Sequence, residues 1–358
     1  ERYPALSLAL LAALLIGVVL RAIGQLAGRE WRWLAVAGGI VAAAGMLGVA
    51  AAAARTLRAN RHPGATWAIF AWFGTGWWVA WAALSVLAGG LLSTTGAVPP
   101  AMDRAAVWAV VLGAIGNFIW AVQSRMIPTS FGRPAAARRS LLVAAILYNA
   151  GVAITLTSVA APLIGQVPDG AQWLMRLGLG VAGASTVWLA ASCGALGGRA
   201  ERLRPASRPL ARYIVWANRW TVFAGISLVI YSLRTMLPVP VAQAFQDDVA
   251  LHALGAGQIT ILIAGMLQLV APVFAMERMG RPRRAMLSGV VFALLMTAAS
   301  ARVAGAIAVS AAPGWFDPLA AVSGVTGWLG LGLLLGTLLR AQIRGSAAGH
   351  QTRVPVTG

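Results

Sequence analysis

His252 stands inside an apolar run, one helical turn after Asp248 and close behind Asp247. A neighbouring carboxylate can hold one ring N–H and fix the tautomer, as metal-ligating histidines require. An ionisable residue within such a run is a functional candidate by default. No second ligand stands at helical spacing from it, and one imidazole makes neither a tetrahedral metal site nor a bis-histidine haem. Two readings of His252 therefore stand side by side: a metal ligand or proton relay, and a hydrogen-bonded packing residue. His62 falls in an Arg-rich loop and His350 in a polar tail, where both are solvated.

Arg219 interrupts another apolar run between Trp216 and Trp220. A charged side chain at that depth costs at least ~2.5 kcal/mol on insertion scales, so it must find a partner in the bundle or snorkel. Trp216 or Trp220 offers a cation–π contact, and a propionate, a quinone oxygen or an acidic lipid offers a stronger one. Asn117, Asn149, Gln258 and Gln268 carry amides that must pair across helices, which is first a packing role. Trp77, Trp78 and Trp81 read as an interfacial aromatic belt, although the same residues could wall a porphyrin or quinone ring. Cys193 is the lone cysteine, so no disulfide or Cys-based metal site forms within the chain. With nine acidic residues in all, no carboxylate pair and no Ser-His-Asp set, the sequence holds no complete catalytic constellation.

The elements that must position these residues are membrane helices. Of 358 residues 59% are apolar and only 10% charged, against roughly 25% charged in an average soluble domain. Mean hydropathy is +0.78. Net charge is +19, carried entirely by Arg. These arginines fall in short loops rather than on one face, which excludes a nucleic-acid-binding surface and makes them topology signals.

Ten apolar segments follow one another, at roughly 4–26, 32–54, 66–93, 104–127, 140–163, 171–196, 212–234, 246–275, 285–311 and 318–342. Arg55, Arg58 and Arg61 follow the second segment, and Arg133, Arg138 and Arg139 the fourth. Arg199, Arg202, Arg204 and Arg208 follow the sixth; Arg278, Arg281, Arg283 and Arg284 the eighth; Arg340 and Arg344 the tenth. The intervening loops are poor in Arg or carry acid. The positive-inside rule then places both termini in the cytoplasm and the chain in the inner membrane.

Trp108, Gly113, Arg125 and Pro128 align with His252, Gly257, Leu269 and Pro272 at one offset of 144 positions. Both runs lead into a Gly-Arg-Pro, Gly132-Arg133-Pro134 and Gly280-Arg281-Pro282, and an Arg pair, Arg138-Arg139 and Arg283-Arg284. The repeating unit is four helices, at 63–208 and 209–345, ahead of a polar tail at 346–358. An even number of spans keeps both copies in one orientation, a parallel repeat about an axis near the membrane normal. Arg2 and Arg21-x-x-Gly24 match Arg283 and Arg302-x-x-Gly305, so residues 1–62 read as the last half of a third unit whose other two helices would precede Glu1. The competing reading is that Gly, Pro and Arg are simply common at such helix ends.

A motif helix of the form His-x4-Gly, followed by Arg-x2-Pro-x3-Gly near its inner end, resembles that of the NnrS family. The matching residues are His252 to Gly257 with Pro272 and Gly280-Arg281-Pro282, and Gly113 with Arg125-Met-Ile-Pro128 and Gly132. The resemblance implies an all-α integral membrane protein of parallel four-helix repeats in a haem-copper-oxidase-like arrangement, with a haem- or copper-associated role linked to nitric oxide or respiratory metabolism. It implies a metal ligand at His252. The family's His-rich stretch would precede Glu1, and Trp108 occupies the second His position, so His252 is the ligand position this chain retains.

The expected site therefore centres on His252, with Arg219, Trp216 and Asn117 as cofactor contacts for haem, copper or quinone. The partners are the bilayer and other membrane or redox subunits. One rival is a cofactor-free membrane anchor of a larger complex. The other is a small-molecule transporter, since a parallel repeat with midplane polar residues also suits alternating access. For topology, a Ser207→Cys variant lacking Cys193 should stay unlabelled by an impermeant maleimide added outside sealed cells and react once the membrane is opened. Labelling from outside reverses the orientation.

Overall fold

The computed structural model describes residues 4–27, 29–59, 65–132, 134–160, 170–193, 196, 205–237, 240–274 and 282–351. His62, the loop arginines Arg61, Arg133, Arg199, Arg202, Arg204, Arg278 and Arg281, and residues 161–163 and 194–195 of two expected segments lie outside them, as do Arg2 and Gly280. Among the described residues there is no strand. Ten helices are long and apolar enough to cross a membrane, and they follow the ten segments read from the sequence closely. An apolar run of that length must satisfy its backbone within itself once it leaves water, and a helix does so.

The chain divides into two compact units, 1–125 with 136–185, and 126–135 with 186–358. In the first, α1 (Pro4–Leu26) and α2 (Arg32–Arg58) form an antiparallel hairpin. Gly17 meets Gly38 and Ala42, Gly24 meets Ala35, and Gly45 meets Leu14, so the two backbones run in close contact along about three turns. Glycine allows that approach, and small residues are what membrane helices use where no hydrophobic force acts between them. α2 packs in turn on α3 (Thr66–Thr95). Gly96, at φ +78, ends α3 with its N–H on the Leu92 carbonyl at 3.0 Å, a left-handed cap that a side chain would strain. α4 (Pro100–Trp108) receives an ion pair from α1, with Arg21 Nη2 3.1 Å from Asp103 Oδ1. α5 (Asn117–Phe131), α6 (Arg138–Ala160) and α7 (Gly170–Cys193) follow, and Gly151 of α6 lies directly against Gly178 and Ala182 of α7.

In the second unit α8 (Ala211–Leu233) is central. It packs on α10 (Asp247–His252) and α11 (Thr260–Phe274), which follow the short α9 (Pro240–Ala244). Its Tyr213 donates to the Ser288 carbonyl of α12 (Pro282–Ala311) at 2.6 Å and meets Phe292 edge-on at 5.0 Å. α13 (Phe316–Gln351) pairs mainly with α12, where Gly330 seats against Leu295.

The two end helices are covered least. Only 6% of the core stretch of α1 and 11% of that of α13 is buried, against 67% for the span holding Trp108, so most leucines and valines of the end helices are left exposed. Because a Cβ on Gly38 would stand 2.5 Å from the Arg21 nitrogen and the Gly17 carbonyl, Gly38→Ala must push α1 off α2. The expected loss is about 1–3 kcal/mol, the usual cost of overpacking, read as a lower thermal midpoint in detergent. Gly90→Ala, with nothing within 4 Å of the new methyl, should leave the midpoint nearly unchanged.

Candidate functional site

The sequence reads spans four and eight as plain helices, but each changes pitch beside its marker residue. The stretch π1 (Ala109–Gly116) follows Trp108 directly, and π2 (Ala253–Ile259) follows His252. A π-helical stretch widens the coil, displaces carbonyls from their usual acceptor positions and is frequent at functional sites. Side-chain donors stand on some of the carbonyls there, in addition to backbone bonds such as that from the Thr260 N–H to the Gly255 carbonyl. Tyr148 Oη donates to the Leu112 carbonyl at 2.6 Å and Asn117 Nδ2 to the Gly113 carbonyl at 2.6 Å. In the second unit Thr260 Oγ1 donates to the Gly255 carbonyl at 2.8 Å.

Both stretches also seat a tryptophan on a glycine. A Cβ on Gly113 would lie 2.7 Å from Trp77 Cγ, and one on Gly257 2.5 Å from Trp220 Cγ. The sequence did not show this pairing, because the tryptophans are 143 positions apart and the glycines 144, so the alignment of span three on span seven slips by one residue. Trp77 is thereby separated from the aromatic belt expected for it. It turns inward to Asn149, while Trp78 and Trp81 meet edge-on at 6.3 Å.

In the first unit Trp77, Asn117 and Asn149 close on one another, while the enclosed Trp108 Nε1 and the Gln123 amide have no partner among the described residues. Trp77 Nε1 donates to Asn149 Oδ1 at 2.7 Å, and Asn117 Nδ2 donates to the same oxygen at 2.9 Å. Asn149 Nδ2 returns a bond to Asn117 Oδ1 at 3.1 Å and donates to the Ala145 carbonyl at 2.8 Å. Asn117 is fully buried, so it serves as the interhelical clasp of α3, α5 and α6.

The second unit lacks that clasp. Counted from the Arg pairs that open α6 and α12, Asn149 corresponds to Leu294, and at the offset of 144 Asn117 corresponds to Ile261. The enclosed Nε1 of Trp220 has no acceptor among the described residues, and neither has the Nε1 of Trp108. Asn218 Oδ1, also fully enclosed, has no donor. Trp220 meets Phe223 edge-on at 5.7 Å and Phe223 meets Phe245 at 6.4 Å, an aromatic ladder from α8 to the corner before α10. That corner is latched. Arg234 lies over Tyr231 at 4.6 Å and donates to Gln246 Oε1 at 2.6 Å, and Gln243 Nε2 donates to the Arg234 carbonyl at 2.9 Å.

His252 is half-buried at the junction of α10 and π2, five residues before Gly257. Asp247 is buried in the first turn of α10, where a carboxylate favours the positive helix end. A metal centre needs three or four donors, and among the described residues no group of three or more His, Cys, Asp and Glu could hold one.

Arg219 and Trp216 do come together, with the guanidinium 4.6 Å above the indole, but both are exposed on the outer face of α8. Arg219 takes the snorkelling alternative. Gln268 is spent on its own helix, donating to the Ala264 carbonyl at 3.1 Å.

In a double-mutant cycle Asn117→Leu and Asn149→Leu should couple by about 0.6–1.7 kcal/mol, the range for hydrogen bonds between membrane helices. Additive losses in detergent melting would mean that the clasp contributes nothing. No family model and no curated protein sequence matches the chain, so the likeness to the NnrS family rests on the motif residues alone.

Proposed function

We propose that this chain is a redox-associated protein of the inner membrane, both ends cytoplasmic, whose second unit holds a lipid-soluble quinone through a hydrogen bond from the Trp220 indole. One observation carries the reading. The Trp220 indole N–H is enclosed without an acceptor beside a glycine-faced π stretch and an aromatic ladder. A buried donor without an acceptor costs about 1–3 kcal/mol, and a quinone carbonyl would remove that cost. Flat apolar walls with a few placed donors are what a ring-shaped ligand needs. His252, the last residue of α10 immediately before that stretch, would exchange the proton that accompanies quinone chemistry. A haem would find one axial candidate in His252, so quinone is the better match to the residues present. The parallel four-helix repeat and the haem-copper-oxidase-like arrangement belong to the same proposal; the π stretches at equivalent offsets support them.

The second reading is a cofactor-free anchor subunit. The closed Trp77, Asn117 and Asn149 network favours it for the first unit, whose polar groups there are consumed in packing.

Solvent extraction of protein purified from native membranes tests both. A quinone at about one per chain is expected, with retention lost in Trp220→Leu and weakened in Trp220→Phe, which keeps the wall but loses the N–H. His252→Ala should leave binding in place and shift its pH dependence. Protein free of quinone and haem, with assembly unaffected by Trp220→Phe, would support the anchor reading instead.

A further inference from the structure

The lipid-facing side of α8 carries a basic and aromatic stripe that the quinone reading does not use. Arg212, Trp216 and Arg219 stand at positions i, i+4 and i+7, which share one helix face. Arg219 is exposed, and so is Trp216 at 38%. Arg219 stands eight residues beyond Ala211, roughly 12 Å along the axis at 1.5 Å per residue. Its guanidinium stacks on Trp216, the residue one turn nearer the Arg208 end, so it reaches back toward the membrane surface. Arg212 lies over Phe292 at 5.1 Å, beside Ser288 at 3.4 Å, and its Nε has no acceptor among the described residues. Neither Arg212 nor Arg219 pairs with an acid there. Arg219 is exposed, Arg212 is half-buried against Phe292, and an anion able to enter the bilayer would complement both.

We propose that Arg212, Trp216 and Arg219 hold the phosphate of an anionic phospholipid in the leaflet at the Arg208 end of α8. The acyl chains would lie along Ile226 and Leu233, both exposed farther along the helix. A free phosphate would have to leave water to reach Arg219, whereas a lipid phosphate is carried there by its own chains. Charge complementarity thus selects the lipid over a neutral apolar partner.

Native mass spectrometry of the full chain, titrated in detergent with phosphatidylglycerol or phosphatidylcholine of equal chain length, tests this. Wild type is expected to retain phosphatidylglycerol in preference, and Arg219→Gln to lower that retention about fivefold, the contribution of one basic residue near an anionic surface. Arg219→Lys should keep most of it, and Arg340→Gln, an exposed charge on α13, all of it. Should Arg219→Gln fail to fold, Trp216→Leu takes its place, with a smaller loss expected. Equal retention of the two lipids, or no change in the variants, overturns the proposal. Displacement of the lipid by inorganic phosphate alone assigns the site to the free ion and also overturns it. So does loss of a co-purifying polypeptide, rather than lipid, in Arg219→Gln.

Discussion

The structure depends on a constraint the bilayer imposes, that a backbone carbonyl released from its helix must find another donor, because no water stands ready to take it. Two helices change pitch, and in each a side-chain donor adds to a carbonyl of the wide-pitched stretch, beside backbone bonds such as that from the Thr260 N–H to Gly255. Tyr148 and Asn117 serve the carbonyls of Leu112 and Gly113, and Thr260 serves that of Gly255. The wide-pitched stretches also carry glycine, and glycine lets Trp77 and Trp220 approach the helix closely. The same geometry that solves a backbone problem thus makes an aromatic-walled contact, and the neighbours decide whether that contact is filled.

In the first unit two asparagines and an indole satisfy each other, and the contact is closed. In the second, Leu294 and Ile261 stand at the corresponding positions in the sequence and cannot answer Trp220. An apolar replacement of a polar partner normally removes both members of a pair. Here one member stays, which is costly unless something else accepts its proton. That asymmetry concerns the Trp220 contact alone, since Trp108 Nε1 and the Gln123 amide of the first unit are also enclosed without a partner among the described residues.

Charge is arranged by a related economy. Acidic groups are few, so most arginines cannot be paired internally. Arg21 reaches Asp103, Arg234 reaches a glutamine and a tyrosine ring, and Arg212 and Arg219 settle on aromatic faces. Aromatic rings accept a guanidinium without adding a second desolvated charge, which suits a span where every unpaired ion is expensive. Close glycine contacts do the corresponding work for backbone packing, holding α1 to α2 and α6 to α7 where lipid offers no hydrophobic drive.

The ten spans were legible in the residues alone, because crossing a bilayer depends on the length and apolarity of one continuous run, a property local to the sequence. The four-residue match that joins Trp108 to His252 was legible for the same reason, and it marked the two helices that change pitch. Which face of a helix turns inward was not legible. These spans are apolar on nearly every side, so no amphipathic stripe distinguishes the face that meets protein from the one that meets lipid. Trp77 looked like a belt residue and is an inward donor, because its acceptor Asn149 lies 72 positions away. For Arg219 the residues left a bundle partner and snorkelling equally open, and the structure stacks it outward on Trp216, the ring beside it on its own helix. Pairing across helices is a property of the packed bundle, and only the tertiary structure could decide it.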